Sequence, residues 1–198
     1  MRPDARGPPR LGVRMLIRRQ PLAGWAVRPA GSADAQALAR LCAAHASFER
    51  IPCQHEGHAD RLADALNAGR LHAWLVWLDG DAVGYSSATL DFSTLAGAPF
   101  LHLDCLYLDP AARGRGLGRE LLAAVGDRAR ALGCTEVQWQ TPVWNADAIR
   151  FYDRLGAIRQ EKHRYTMALR VRENGAGEAE RRRGVVHHQC NHLALSTQ

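Results

Sequence analysis

The residues best suited to chemistry lie in one stretch, Leu106-Tyr107-Leu108-Asp109-Pro110-Ala111-Ala112-Arg113-Gly114-Arg115-Gly116-Leu117-Gly118-Arg119. An apolar run stops at Asp109-Pro110, glycines recur at 114, 116 and 118, and an apolar pattern with helical spacing follows. This predicts a strand, a tight turn and a helix N-terminus with uncovered amides. Such amides, together with the positive end of the helix dipole, attract an anion, and Arg113, Arg115 and Arg119 add charge at the same place. The spacing narrows the ligand. Arg119 stands where a dinucleotide fingerprint needs its third glycine, and no Gly-Lys-Ser/Thr follows, so neither a dinucleotide turn nor a P-loop fits.

These residues need a scaffold, and periodicity supplies one. Ser32 is the expected cap of a helix with Leu38, Leu41, Cys42 and His45 on one face, and Leu62 and Leu66 mark a second short helix. Between them, Phe48-Glu49-Arg50-Ile51-Pro52 is held off helix by its proline. From Leu71 the period becomes that of strands. Leu71–Leu78 and Ala82–Phe92 flank an Asp79-Gly80-Asp81 hairpin turn, and Phe100–Leu108 follows a Gly/Pro loop at 96–99. A helix over Gly116–Leu132 ends at Gly133, and a strand over Thr135–Thr141 precedes a helix over Ala146–Leu155. A closing strand is expected over Tyr165–Val171. Antiparallel strands followed by strands separated by helices give a mixed α/β sheet.

Two motifs together carry a family likeness. Arg113-x-x-Gly116-x-Gly118 resembles the acetyl-CoA signature of the GCN5-related N-acetyltransferase (GNAT) superfamily, and Asn145-Ala146-Asp147-Ala148-Ile149-Arg150-Phe151-Tyr152-Asp153-Arg154-Leu155-Gly156 resembles its downstream segment. The likeness spans about Ala26 to Leu169. Within the superfamily the chain is most similar to diamine (spermidine/spermine-type) acetyltransferases, through Phe48-Glu49, Asp91-Phe92-Ser93-Thr94, Leu103–Leu108 and Trp144-Asn145. It departs from them where Asp104 is followed by Cys105 in place of a second carboxylate.

The resemblance implies a mostly antiparallel GNAT sheet, splayed at its third and fourth core strands and flanked by helices. It also implies direct transfer of an acetyl group from acetyl-CoA, without a metal, to a primary amine that is diamine-, polyamine- or amino-acid-like. Backbone groups of Leu106, Tyr107 and Leu108 would bind pantetheine, with Asn145 reaching the same arm. Arg113, Gly114, Arg115, Gly116, Leu117, Gly118 and Arg119 would hold the pyrophosphate. Tyr152 is the implied general acid, with Phe151 left to the core. Asp104, directly or through water, is the candidate base and also a substrate contact. Phe48 and Glu49 would anchor the amine, and Gln138 and Gln140 would line its pocket beside Trp139. Cys105 has no indicated His partner and direct transfer needs no acyl-enzyme, so it is not assigned as a nucleophile. A homodimer is also implied.

Composition bounds the alternatives. With 198 residues, 46% hydrophobic and 23% charged, the chain is an ordinary globular one with room for one domain, expected over 25–171. Its net charge of +6 invites a nucleic-acid reading. The excess sits outside the domain. Residues 1–24 hold six Arg against Asp4, residues 171–198 hold four Arg and three Glu, and the stretch between has sixteen charges of each sign. A flexible basic arm at 1–24, in which Met15 offers a second start, and a flexible tail at 172–198 therefore flank a neutral body. Nucleic-acid binding by the arm on an idle core, and acetylation of a protein N-terminus or lysine, are the competing readings. Five cysteines without a CxxC pair predict free thiols. The Cys53-His55-His58 and His187-His188-Cys190-His192 groups lack a second ligand pair at zinc spacing and are read as structural or surface residues. No apolar run suits a membrane span or a signal core, so a cytoplasmic protein is expected.

Overall fold

The computed structural model describes residues 24–168, so the arm before Gly24 and the tail at 172–198 lie outside the described residues. Its elements are β1 (Trp25–Pro29), α1 (Ala35–Glu49), α2 (His58–Asn67), β2 (His72–Leu78), β3 (Asp81–Ser93), β4 (Ala98–Leu108), α3 (Leu117–Ala131), β5 (Val137–Gln138) and α4 (Ala146–Arg154). The strands form one sheet in the order β1-β2-β3-β4-β5, antiparallel throughout except for the parallel β4–β5 pair.

β2 shows why the sheet is the middle layer. Its run His72–Leu78 is apolar without alternation because both faces are covered. Ala73 and Leu75 pack with Leu38 and Leu41 of α1, whereas Trp74 and Val76 pack with Leu117, Leu121 and Val125 of α3. The turn to β3 uses Asp79 and Gly80 at φ 49° and 92°, the pair of left-handed residues that a two-residue hairpin requires. At the start of the helical layer, Ser32–Asp34 forms a 3-10 turn and Ser32 is not the cap. Asp34 stands at the N-cap of α1 without capping it; its carboxylate reaches back, accepting from the Gly31 amide at 2.9 Å and from the Arg28 guanidinium at 2.7 Å.

Two strand expectations are corrected, and one strand is additional. The additional one, β1, is a short edge strand pairing Trp25–Pro29 with Trp74–Leu78. The strand expected over Thr135–Thr141 pairs only at Leu101↔Val137 and His102↔Gln138. The expected closing strand is absent from its described part, where Tyr165 and Met167 are exposed and irregular; residues 169–171 lie outside the described residues.

The brief β4–β5 pairing opens the sheet. Beyond Leu103, β4 has no strand on its β5 side among the described residues. At that point the register with β3 jumps from Ala88↔Leu103 to Ser87↔Cys105, leaving Asp104 as the extra residue of a β-bulge. The bulge reverses the parity of the strand. Before it, Leu101 and Leu103 face the α3 side; after it, Leu106 and Leu108 do, while Cys105 and Tyr107 join the α1 side. One strand thereby serves two cores and carries an exposed carboxylate at the changeover.

Candidate active site

The glycine turn is built as the spacing predicts. Gly114 and Gly116 adopt φ of 75° and 81°, where a side chain would be strained, and a Cβ at either would meet nothing within 4 Å. Gly116 is the N-cap of α3, and no side chain caps that end. Among the described residues, no protein group accepts from the amides of Gly114, Arg115, Gly116, Leu117 or Gly118. Open, left-handed and uncapped, the turn fits a phosphate. Gly118 has another reason for its type: a Cβ there would lie 3.3 Å from Phe151 Cζ, so α4 packs directly on α3. Phe151 is thus the packing aromatic of its pair.

The arginines are less uniform. Arg115 lies over the Trp25 ring at 5.4 Å. Arg113 turns toward the opened strand, donating from Nε to the Leu108 carbonyl at 3.0 Å and riding on the rings of Phe48 at 4.8 Å and Tyr107 at 5.8 Å. Leu108 itself is held close to β3 because Gly84 faces it; a Cβ on Gly84 would come within 2.8 Å of the Tyr107 carbonyl. The structure therefore brings the motif arginine, the free β4 edge and an aromatic shelf to one place. Trp144 extends that shelf, 5.8 Å from Phe48.

On the α1 side of β4 a polar chain runs under the shelf. Tyr85 is buried, and its hydroxyl lies 3.0 Å from His45 Nδ1. The His45 ring stacks on Tyr107 at 5.1 Å and its Nε2 reaches Glu49 Oε1 at 3.4 Å. Burial pushes the Tyr85 phenol well above its ordinary range, with the Cys105 and Cys42 thiols adding in the same direction. Burial pushes the Cys105 thiol up to about 12, with the Asp104 carboxylate adding in the same direction. It stays protonated at neutral pH, which disarms it as a nucleophile. Its Sγ lies 3.6 Å from Asp104 Oδ2.

Tyr152 closes the arrangement from α4, its ring 5.1 Å from both Trp139 and Phe151. Burial is the main cause that lifts its phenol to about 12, followed by the Cys105 and Glu49 charges. Tyr152 thus keeps its proton at neutral pH. Asn145 caps α4, its Oδ1 accepting from the Ala148 amide at 3.2 Å, which leaves its side-chain NH2 as the free end. Gln138 and Gln140 are exposed on the other side of Trp139, and Gln138 donates to Glu136 at 2.6 Å.

Among the described residues no group of three His, Cys, Asp or Glu is placed to hold a metal, and no helix is long and apolar enough to cross a membrane. The His187 to His192 group lies outside the described residues. Sequence reasoning missed the polar chain: His45 was assigned only to the inner helix face, and Tyr85 to nothing. The one local signal was the four-residue step from His45 to Glu49.

Comparison with known proteins points the same way. Residues 38–157 match the acetyltransferase (GNAT) family. The chain is 26% identical over 117 residues to a thialysine N-epsilon-acetyltransferase of Caenorhabditis elegans, covering 59% of this chain and 72% of that one. It is 29% identical over 114 residues to an aminoglycoside N(6')-acetyltransferase type 1 of Salmonella typhimurium, covering 54% and 79%. In fold it is similar to the CoA complex of the aminoglycoside N-acetyltransferase AAC(6')-Iy, with a TM-score of 0.63 at 20% identity over 73% of this chain and 94% of that one.

Proposed function

The chain belongs to the acetyltransferase (GNAT) family, and from that premise we propose that it moves the acetyl group of acetyl-CoA directly to a primary amine of a small, cationic, diamine- or amino-acid-like acceptor. The observation that carries the acceptor class is the shelf of Phe48 and Tyr107 beside Glu49, on which the chain's own Arg113 guanidinium already rides. Aromatic faces and a carboxylate are what an ammonium group seeks. The thialysine and aminoglycoside substrates named for its relatives are amines of the same kind.

Each step has a candidate residue. The amides from Gly114 to Gly118 hold the pyrophosphate, with Arg119 and the mobile-length side chains of Arg113 and Arg115 adding charge. The free edge of β4 at Leu106, Tyr107 and Leu108 pairs with pantetheine, as does the spare amide of Asn145, and an edge amide polarises the acetyl carbonyl. Phe48 and Glu49 anchor the amine, and Gln138 and Gln140 border its approach. Asp104, exposed and in contact with water, takes the ammonium proton so that the neutral amine can attack. Tyr152, protonated at any working pH, gives its proton to the departing thiolate. In this reading the enzyme is a homodimer and works in the cytoplasm.

The test is release of free thiol from acetyl-CoA by the purified chain against polyamines, amino acids, aminoglycosides and peptides. Turnover with cationic small amines is expected. Turnover with peptides alone would move the assignment to a protein acetyltransferase, and nucleic-acid binding lost on removing residues 1–24 without any turnover would replace the reading entirely.

A further inference from the structure

The polar chain under the acceptor shelf is continuous. The buried Tyr85 hydroxyl lies 3.0 Å from His45 Nδ1. The opposite edge of the ring, Nε2, lies 3.4 Å from Glu49 Oε1, at ion-pair distance. The ring has little freedom to turn, because it stacks on Tyr107 at 5.1 Å and an interplanar angle of 24°. Tyr85 in its turn is fixed by burial in β3. A glutamate at a helix C-terminus would otherwise sample several rotamers. Here it meets a ring nitrogen held in place.

Building on the reading of function above, we propose that His45 is a positioning residue: clamped between Tyr85 and Tyr107, it sets the Glu49 carboxylate in the orientation that anchors the acceptor cation. His45 touches neither substrate. Its link to the acetyl-CoA half is the Tyr107 ring on which it stacks, while the carboxylate it faces belongs to the amine half. The carboxylate keeps a free oxygen for the ammonium group while the other is held by the ring, so anchoring is preorganised.

The experiment is a steady-state comparison of wild type, His45→Leu, His45→Gln, Glu49→Gln and the double variant His45→Leu/Glu49→Gln, with spermidine as acceptor, or thialysine if spermidine is not acetylated. Loss of this partly buried contact to a charged group corresponds to a rise in acceptor KM of about tenfold. His45→Leu should show that rise with kcat and acetyl-CoA KM little changed, and His45→Gln, which returns an N–H donor, should recover most of it. Glu49→Gln should match His45→Leu, and the double variant should be no worse than either single one. If His45→Leu does not fold, Tyr85→Phe serves instead, since it unlocks the ring without removing it and should raise acceptor KM alone. Additive effects in the double variant, a fall in kcat with KM unchanged, or no recovery by Gln would overturn the inference. A wild-type chain that acetylates neither amine overturns the reading of function instead, so the two failures are distinct.

Discussion

Replacing Tyr152 by Phe removes one hydroxyl and leaves the ring against Trp139 and Phe151, so the fold should persist. The site contains its own gauge of what it does to a thiol. Burial lifts Tyr152 to about 12, and it lifts the neighbouring Cys105 to about 12 as well. In water, a phenol at that value giving its proton to a thiolate of ordinary basicity near 8.5 would run uphill by about 5 kcal/mol. A CoA thiolate released beside Cys105 meets the same desolvation, its basicity rises toward that of the phenol, and the transfer becomes nearly level. Without the hydroxyl the thiolate must leave unprotonated, and kcat should fall by about 10² to 10⁴, or roughly 3 to 5 kcal/mol in the barrier. The assay is thioester consumption at saturating amine, run with acetyl-CoA and with an S-acetyl nitrothiophenol whose acidic thiol leaves without help. The deficit of Tyr152→Phe should be large with the first and nearly absent with the second. An equal deficit with both, or unchanged turnover of acetyl-CoA, would refute the matched-acid argument.

Three further outcomes follow from the same geometry. Cys105 and Tyr152 keep protons in the folded chain at pH values where the unfolded chain, with ordinary values of 9.0 and 10.0, has released them; stability is full below pH 9 and falls as the pH rises toward 12, by up to about 1.4 kcal/mol per unit for each group. Urea midpoints at a series of pH values read this, and Cys105→Ala should flatten the slope that starts near pH 9. At the phosphate turn, Gly116→Ala places a side chain at φ 81° in open space, so the cost is backbone strain of about 1 to 2 kcal/mol and a loosened acetyl-CoA site with acceptor KM unchanged. Gly118→Val instead pushes into Phe151 and should lower kcat through the adjacent Tyr152, a split that calorimetry with CoA and steady-state kinetics together resolve.

How much was legible depended on how local each signal is. The β2–β3 hairpin, the α3 helix and the glycine turn announce themselves through Asp79-Gly80, Leu117-Leu121-Leu122-Val125 and the glycines at 114 and 116, all of which act within a few residues. β5 was drawn too long because its apolar alternation persists beyond Gln138, whereas pairing requires β4 alongside, and β4 turns away. β1 was missed because five residues beside an arginine-rich segment carry too short a period to stand out. The site divides in the same way. Family likeness tells Phe151 from Tyr152; the contact with Gly118 gives Phe151 a packing role, and the role of Tyr152 rests on the assay above. The contact between His45 and Tyr85 joins residues forty apart in the chain and depends on the crossing of α1 over β3, so no spacing rule reveals it.

The bulge at Asp104 has a consequence for how such a chain can change. A residue that belongs to neither side of the alternation contributes its side chain to no core, so the type of residue at 104 is free of packing constraint. Straightening the strand with residue 104 kept would send Tyr107 into the layer meant for Leu106 and Leu108, whereas deleting it would leave Cys105 and Tyr107 on the α1 side. Substitutions at 104 should therefore cost little stability while removing the proposed base, whereas Cys105, one residue along and packed under α1, is bound by the core.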